Sequence, residues 1–158
     1  MLKKLIKSSI LLVIICTFIV NNCTSVHAGL YKKGLDDLIS IDYDNIVEYH
    51  VGPDTDSIPA ITEAVYYHDM PYMIRFSVDE SNEVFSTYKG CLYNKEQSML
   101  ISVPQGLRYV EIPSTCVNLL AGSTYGTSNY VRKQIKTAIS KNNGGRWPGY
   151  TRLFNYIY

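Results

Sequence analysis

The sequence predicts an α+β fold, with short strands followed by a helix. Three observations carry this. First, Phe85 to Pro104 holds two apolar runs, Cys91-Leu92-Tyr93 and Met99 to Val103, split by the polar Asn94-Lys95-Glu96-Gln97. That is the pattern of a β-hairpin, with Gly90 allowing a bend before it and Pro104 stopping it, since proline has no N–H to give a ladder. Second, Ile74, Phe76 and Val78 alternate with Arg75 and Ser77, the period of a half-buried strand. Third, Val131, Ile135, Ala138 and Ile139 recur at helical spacing behind Thr127-Ser128-Asn129, any of which can cap a helix.

The N-terminal end reads as a targeting segment. Lys3, Lys4 and Lys7 precede an apolar run from Ile10 to Val20 that only Thr17 interrupts, and Val26-His27-Ala28 offers a cleavage site. The run is shorter than the ~20 residues a membrane span needs, so residues 1–28 are expected to be a secretory signal peptide cut after Ala28. The expected location of the protein is therefore secreted, extracellular or cell-surface associated. Residues 29–45 are expected to form an N-terminal cap or linker, with Leu30, Leu35, Leu38 and Ile39 on one helical face.

From residue 46 the elements follow in order. Val47 to Val51 is a strand, ended by Gly52-Pro53-Asp54. Ile61 to Tyr67 is brief and helical or irregular, and Met70-Pro71-Tyr72 turns the chain. A further alternating strand is expected after the hairpin, with Val110 and Ile112 inward and Tyr109 and Glu111 outward. The helix is expected over Thr127 to Lys141, and Asn143-Gly144 stops it. The last residues are rich in aromatics: Trp147, Tyr150, Phe154, Tyr156 and Tyr158.

The order Val78-Asp79, Asn82, Phe85, Gly90, Leu92-Tyr93-Asn94-Lys95, Leu100-Ile101, Pro104, Gly106, Ile112-Pro113 resembles the BspA-type leucine-rich repeats of bacterial surface and secreted proteins. The resemblance covers about residues 46–120. It implies a short leucine-rich-repeat solenoid carrying a β-hairpin insertion, with flanking helices as caps. It implies recognition and no chemistry, and it names no ligand. Two to three repeat units are visible, while a solenoid usually needs at least three to bury a continuous core. The expected organisation is thus a signal peptide (1–28), a cap or linker (29–45), a repeat region (46–126) and a basic helix with an aromatic tail (127–158).

Charge divides the chain. Residues 29–111 carry 14 acidic against 6 basic side chains, a net of −8, whereas residues 112–158 carry 6 basic side chains and no acidic one. Such asymmetry marks either an interaction tail or two halves that attract each other. The helix is expected to bury its apolar face as a cap and leave its basic face in water.

Few residues suggest chemistry. Cys91 and Cys116 are the cysteines beyond the expected leader. Secretion permits a disulfide between them, but the expectation is that they pack as separate apolar side chains. His50 and His68 lie in no nucleophile motif. Asp42, Asp44, Asp54 and Asp56 suit turns better than calcium, because later ligands at fixed spacing are missing. No catalytic residue, metal site or cofactor is expected. The 14 tyrosines are more informative, since an aromatic surface stacks on sugar rings or anchors a protein partner. Tyr66, Tyr67, Tyr72, Tyr88 and Tyr109 are the candidate binding residues.

The expected function is that of a recognition module for adhesion. It binds a protein or glycan, such as a host matrix protein or a cell-wall polymer, and not nucleic acid, and it has no transmembrane segment once the leader is cut. The alternative is a small secreted enzyme or effector using Cys91 or Cys116 as nucleophile.

Overall fold

The computed structural model describes residues 24–27, 45–58 and 68–152. The expected leader up to residue 23, most of the cap or linker, and Ile61 to Tyr67 lie outside the described residues. Two sheets and one helix make up the described fold. The first sheet has the order β1 (Thr24–His27), β2 (Ile46–Val51), β3 (Arg75–Val78), all parallel. The second runs β4 (Phe85–Tyr88), β5 (Cys91–Asn94), β6 (Met99–Ser102), β7 (Asn118–Leu119), antiparallel except for the parallel last pair. The helix α1 spans Asn129–Asn142. Strand β1 falls inside the expected leader and covers one edge of β2. Cleavage after Ala28 would leave that edge unpaired.

The second sheet is a meander rather than a lone hairpin. Lys89 and Gly90, both at positive φ (49° and 83°), make the two-residue turn between β4 and β5. Positive φ at both turn positions matches the right-handed twist of the flanking strands, and glycine takes it without penalty. The polar break joins β5 to β6, where Asn94 closes the loop by accepting from Met99 N at 2.8 Å and donating to Ser98 Oγ at 2.8 Å.

This meander is buried on both faces. Phe85, Leu92, Met99 and Ile101 pack with Ile46, Tyr49, Val51 and Phe76 of the first sheet. Cys91, Tyr93 and Leu100 pack on the other side with Leu119 and the helix residues Val131, Ile135 and Ile139. Successive residues of a strand point to opposite faces, so the continuous apolar runs of β5 and β6 feed two cores. The meander thus lies between the core shared with the first sheet and the core shared with the helix. Leu100 is fully buried. Leu100→Ala should cost on the order of 2–5 kcal/mol, the sum of lost transfer energy and a cavity that neighbours fill poorly. Urea unfolding measures it, and a loss below about 0.5 kcal/mol would place Leu100 in solvent.

Two expectations about strands need correcting. Ile74 is 47% exposed, and Met73 is buried in its place. The chain is still leaving the Met70–Met73 turn, where Met73 N donates to Met70 O at 3.0 Å, so the two-residue period begins only at Arg75. Residues 109–113 keep their alternation, with Val110 buried and Ile112 half-buried, but form no strand. Val110 N donates to the Gln134 side chain at 3.2 Å instead of to a neighbouring strand.

Gly106 has a different role from Gly90. A Cβ there would lie 2.7 Å from Met73 O and 2.8 Å from Pro71 O. Its amide donates to Met73 O at 2.8 Å, which locks the Pro104–Leu107 turn onto the Met70–Met73 turn.

Candidate binding groove

The groove is built on the helix. Ser128 caps α1 by accepting from Val131 N at 3.3 Å. Val131, Ile135 and Ile139, four residues apart, face the core. The same turn geometry places Tyr130, Lys133, Thr137 and Lys141 along another face. At the far end Asn142 donates to Pro113 O (3.0 Å) and Cys116 O (2.8 Å), and Asn143 donates to Val117 O at 2.7 Å. These bonds fasten the helix to the loop before β7.

The extended segment 109–112 runs beside this face, held by the bond from Val110 N to Gln134. Between the two lies an open groove of about 670 Å³. Val110, Ile112 and Ala138 give it apolar lining, three tyrosines (Tyr88, Tyr109 and Tyr130) surround it, and Lys133 and Lys141 supply positive charge. Tyr109 and Tyr130 are 61% and 64% exposed, while Tyr88 is half-buried against the helix-side core. Glu111 also lines the groove, 3.9 Å from Lys89 Nζ; both are exposed, so the pair adds only about 0–1 kcal/mol.

Of the five expected binding residues, the structure brings Tyr88 and Tyr109 together. Tyr72 is exposed but sits on the Met70–Met73 turn, outside the groove. Tyr66 and Tyr67 lie outside the described residues. Tyr130, Lys133 and Lys141 were missed. Their signal was present as the spacing of 130, 133, 137 and 141 along the polar face of the helix.

The thiols lie elsewhere. Cys91 and Cys116 are both buried and unbonded to each other. Burial pushes Cys91 up to about 12, with Cys116 nearby adding to the effect, and burial pushes Cys116 up to about 11. Tyr93, in the same core, is raised by burial, and its hydroxyl has no hydrogen-bond partner among the described residues. A thiol is nucleophilic as thiolate, which this apolar setting opposes. His50 belongs to the first sheet, where its Nδ1 lies 2.9 Å from Ser77 Oγ. We expect both thiols of the chain from Gly29 onward to alkylate in denaturant without reductant, read by mass. Sulfurs that resist until reduced would establish a disulfide. Among the described residues, no group of three or more His, Cys, Asp or Glu could hold a metal, and no helix is long and apolar enough to cross a membrane.

No protein-family model matches the chain, and no curated protein matches it. Two solved structures are similar to part of it. A leucine-rich repeat protein from Eubacterium ventriosum is 19% identical with a TM-score of 0.39, over 51% of this chain and 22% of that one. The pneumococcal vaccine antigen PcpA is 19% identical with a TM-score of 0.40, over 50% of this chain and 19% of that one. The matched region therefore amounts to about a fifth of the length of either protein, and about half of this chain.

Proposed function

We propose that the chain is a secreted or surface-associated recognition module that binds a protein or glycan partner without catalysis. The observation that carries this reading is the groove beside α1, where three tyrosines and two lysines converge on an apolar lining. Tyrosine gives large contact area with little rotamer entropy lost, and its hydroxyl still reaches water or a partner. The basic, apolar Lys3-to-Ala28 segment supports export.

The scaffold we propose is a short BspA-type leucine-rich-repeat solenoid interrupted by the meander. Its support is internal. Thr24 pairs in parallel with Ile46, Glu48 with Arg75 and Met99 with Asn118, so these steps return the chain beside itself after 22, 27 and 19 residues. Repeats of this class run about 20–29 residues.

The test is a binding screen of the chain from Gly29 to Tyr158 against matrix proteins and wall polymers. A hit should weaken at least about tenfold in the Tyr109→Ala/Tyr130→Ala variant, whose changes are at exposed positions. Hits that ignore this variant would move the site away from the groove. A cysteine that labels fast with a thiol probe in the folded protein would favour a thiol enzyme instead.

A further inference from the structure

We propose that Arg132 and Arg152, with Tyr125 and Tyr150 beside them, form a second site that binds a carboxylate-bearing sugar of an acidic polysaccharide. The four side chains line a separate groove of about 560 Å³ that also takes in the Thr124 turn. It shares no residue with the tyrosine–lysine groove. The inference therefore stands on its own observations.

Each side chain is held by a fixed element. Arg132 lies in the first turn of α1, and its Nε donates to Thr127 Oγ1 at 3.4 Å. Tyr150 and Arg152 flank Thr151, which is tied on both sides: its amide donates to Leu119 O at 2.8 Å, and its carbonyl accepts from Ala121 N at 2.8 Å. Tyr125 sits in the turn that follows, where its amide donates to Gly122 O at 2.8 Å. Three anchored segments thus present two guanidinium groups and two half-exposed rings, with Tyr125 at 47% and Tyr150 at 56%. Binding here spends little on ordering the backbone, leaving the side-chain rotamers to be fixed.

Neither arginine forms an ion pair among the described residues. From residue 112 onward the sequence carries no Asp or Glu. The described residues leave both guanidinium charges to a ligand or to solvent ions. A guanidinium holds a carboxylate through two parallel N–H···O bonds, and a tyrosine face accepts the apolar side of a sugar ring.

Other anionic partners fit less well. Membrane-seeking surfaces expose Trp, Phe or Leu beside their cations, but the exposed large apolar side chains at this site are tyrosines. Nucleic acid carries dense charge, which the net −8 of residues 29–111 repels. A glycan with one carboxylate per sugar carries less dense charge than nucleic acid and meets the two cations with less of that penalty.

The test titrates the chain from Gly29 to Tyr158 by calorimetry with tetragalacturonate. Neutral maltotetraose, an oligothymidylate and phosphatidylglycerol vesicles serve as the other arms. We expect saturable binding of tetragalacturonate that weakens with salt, and none of maltotetraose. Arg132→Gln/Arg152→Gln should weaken it at least about tenfold, and Arg132→Lys/Arg152→Lys by an intermediate factor, since charge remains but the fork is lost. Tyr125→Ala/Tyr150→Ala should also weaken it, while Tyr109→Ala/Tyr130→Ala should not. If the double glutamine variant melts early, Arg152→Gln alone carries the test, because that side chain is exposed. Equal binding of maltotetraose, tighter binding of the oligothymidylate or the vesicles, or indifference to the arginine variants would overturn the proposal.

Discussion

Replacing Asn82 by alanine should destabilise the protein by about 3–5 kcal/mol. Asn82 is fully buried, and its side chain uses every bond it can make. Nδ2 donates to Gly52 O at 2.8 Å and to Thr55 O at 2.9 Å, while Oδ1 accepts from Val84 N at 2.9 Å and Phe85 N at 2.8 Å. One amide group thereby joins the loop after β2 to the start of β4, tying the first sheet to the second. Alanine takes the Asn82 bond from Val84 N, Phe85 N, Thr55 O and Gly52 O, of which Gly52 O still accepts from Thr55 N at 3.3 Å, and each orphan that water does not reach costs about 1–3 kcal/mol. A domain of this size has only about 5–15 kcal/mol in total. Asn82→Asp is an informative companion. It keeps both acceptor bonds but turns the donor side into an oxygen facing two carbonyls. Burial and that repulsion raise the folded carboxyl above its unfolded value, so the ionised form is the destabilised one. The deficit should grow as pH rises through the unfolded carboxyl range, near 4, and shrink below it. Equilibrium urea unfolding at neutral and acid pH reads both variants. An alanine loss below about 1 kcal/mol would make the amide dispensable.

Deleting residues 127–158 should abolish cooperative folding of the remainder. The helix contributes Val131, Ile135 and Ile139 to the core that also holds Cys91, Tyr93, Leu100 and Leu119. Three buried aliphatic side chains at about 1.5–3 kcal/mol each already approach the stability of a whole domain. The deletion also removes the Asn142 and Asn143 bonds to residues 113–117 and the pairing of Thr151 with Leu120. One face of the meander is then open to water. We expect loss of near-ultraviolet dichroism, binding of hydrophobic dye, and no sharp thermal transition. A truncated chain melting at the temperature of the intact one would show that the helix is an appendage. The opposite charges of the two halves add little here, because attraction between solvated charges is weak.

Much of this was readable in the residues. The hairpin stands where its apolar runs and polar break put it, and α1 lies within two residues of its expected ends. The buried face of the helix follows from its periodicity. Other features depend on partners that sequence order conceals. Ile74 fits an inward alternation, yet a turn held by Met70 and Met73 sets where the strand starts. Val110 and Ile112 alternate as a strand would, but the neighbour of that segment is a helix side chain, Gln134, and not another strand. Tyr88 and Tyr109 were legible as aromatic candidates. The spacing of Tyr130 and Lys133 marked them as a polar helix face but not as a groove wall, because such a face ordinarily meets water and only the nearby passage of residues 109–112 encloses it. The Asn82 staple was visible only as one position of the repeat resemblance.

The two-sided burial of β5 and β6 has a consequence for how this protein can vary. Seven of the eight residues in those strands are buried, so nearly every substitution there disturbs one core or the other. The outer face of α1 and the turns around it carry the candidate ligand contacts and contribute little to either core. Changes at sites that share no packing partner add almost independently. Affinity can therefore drift at Tyr109, Tyr130, Arg132 or Arg152 while stability stays where the meander sets it. Such a layout separates the part of the sequence that selection must hold still from the part it is free to rewrite for a new ligand.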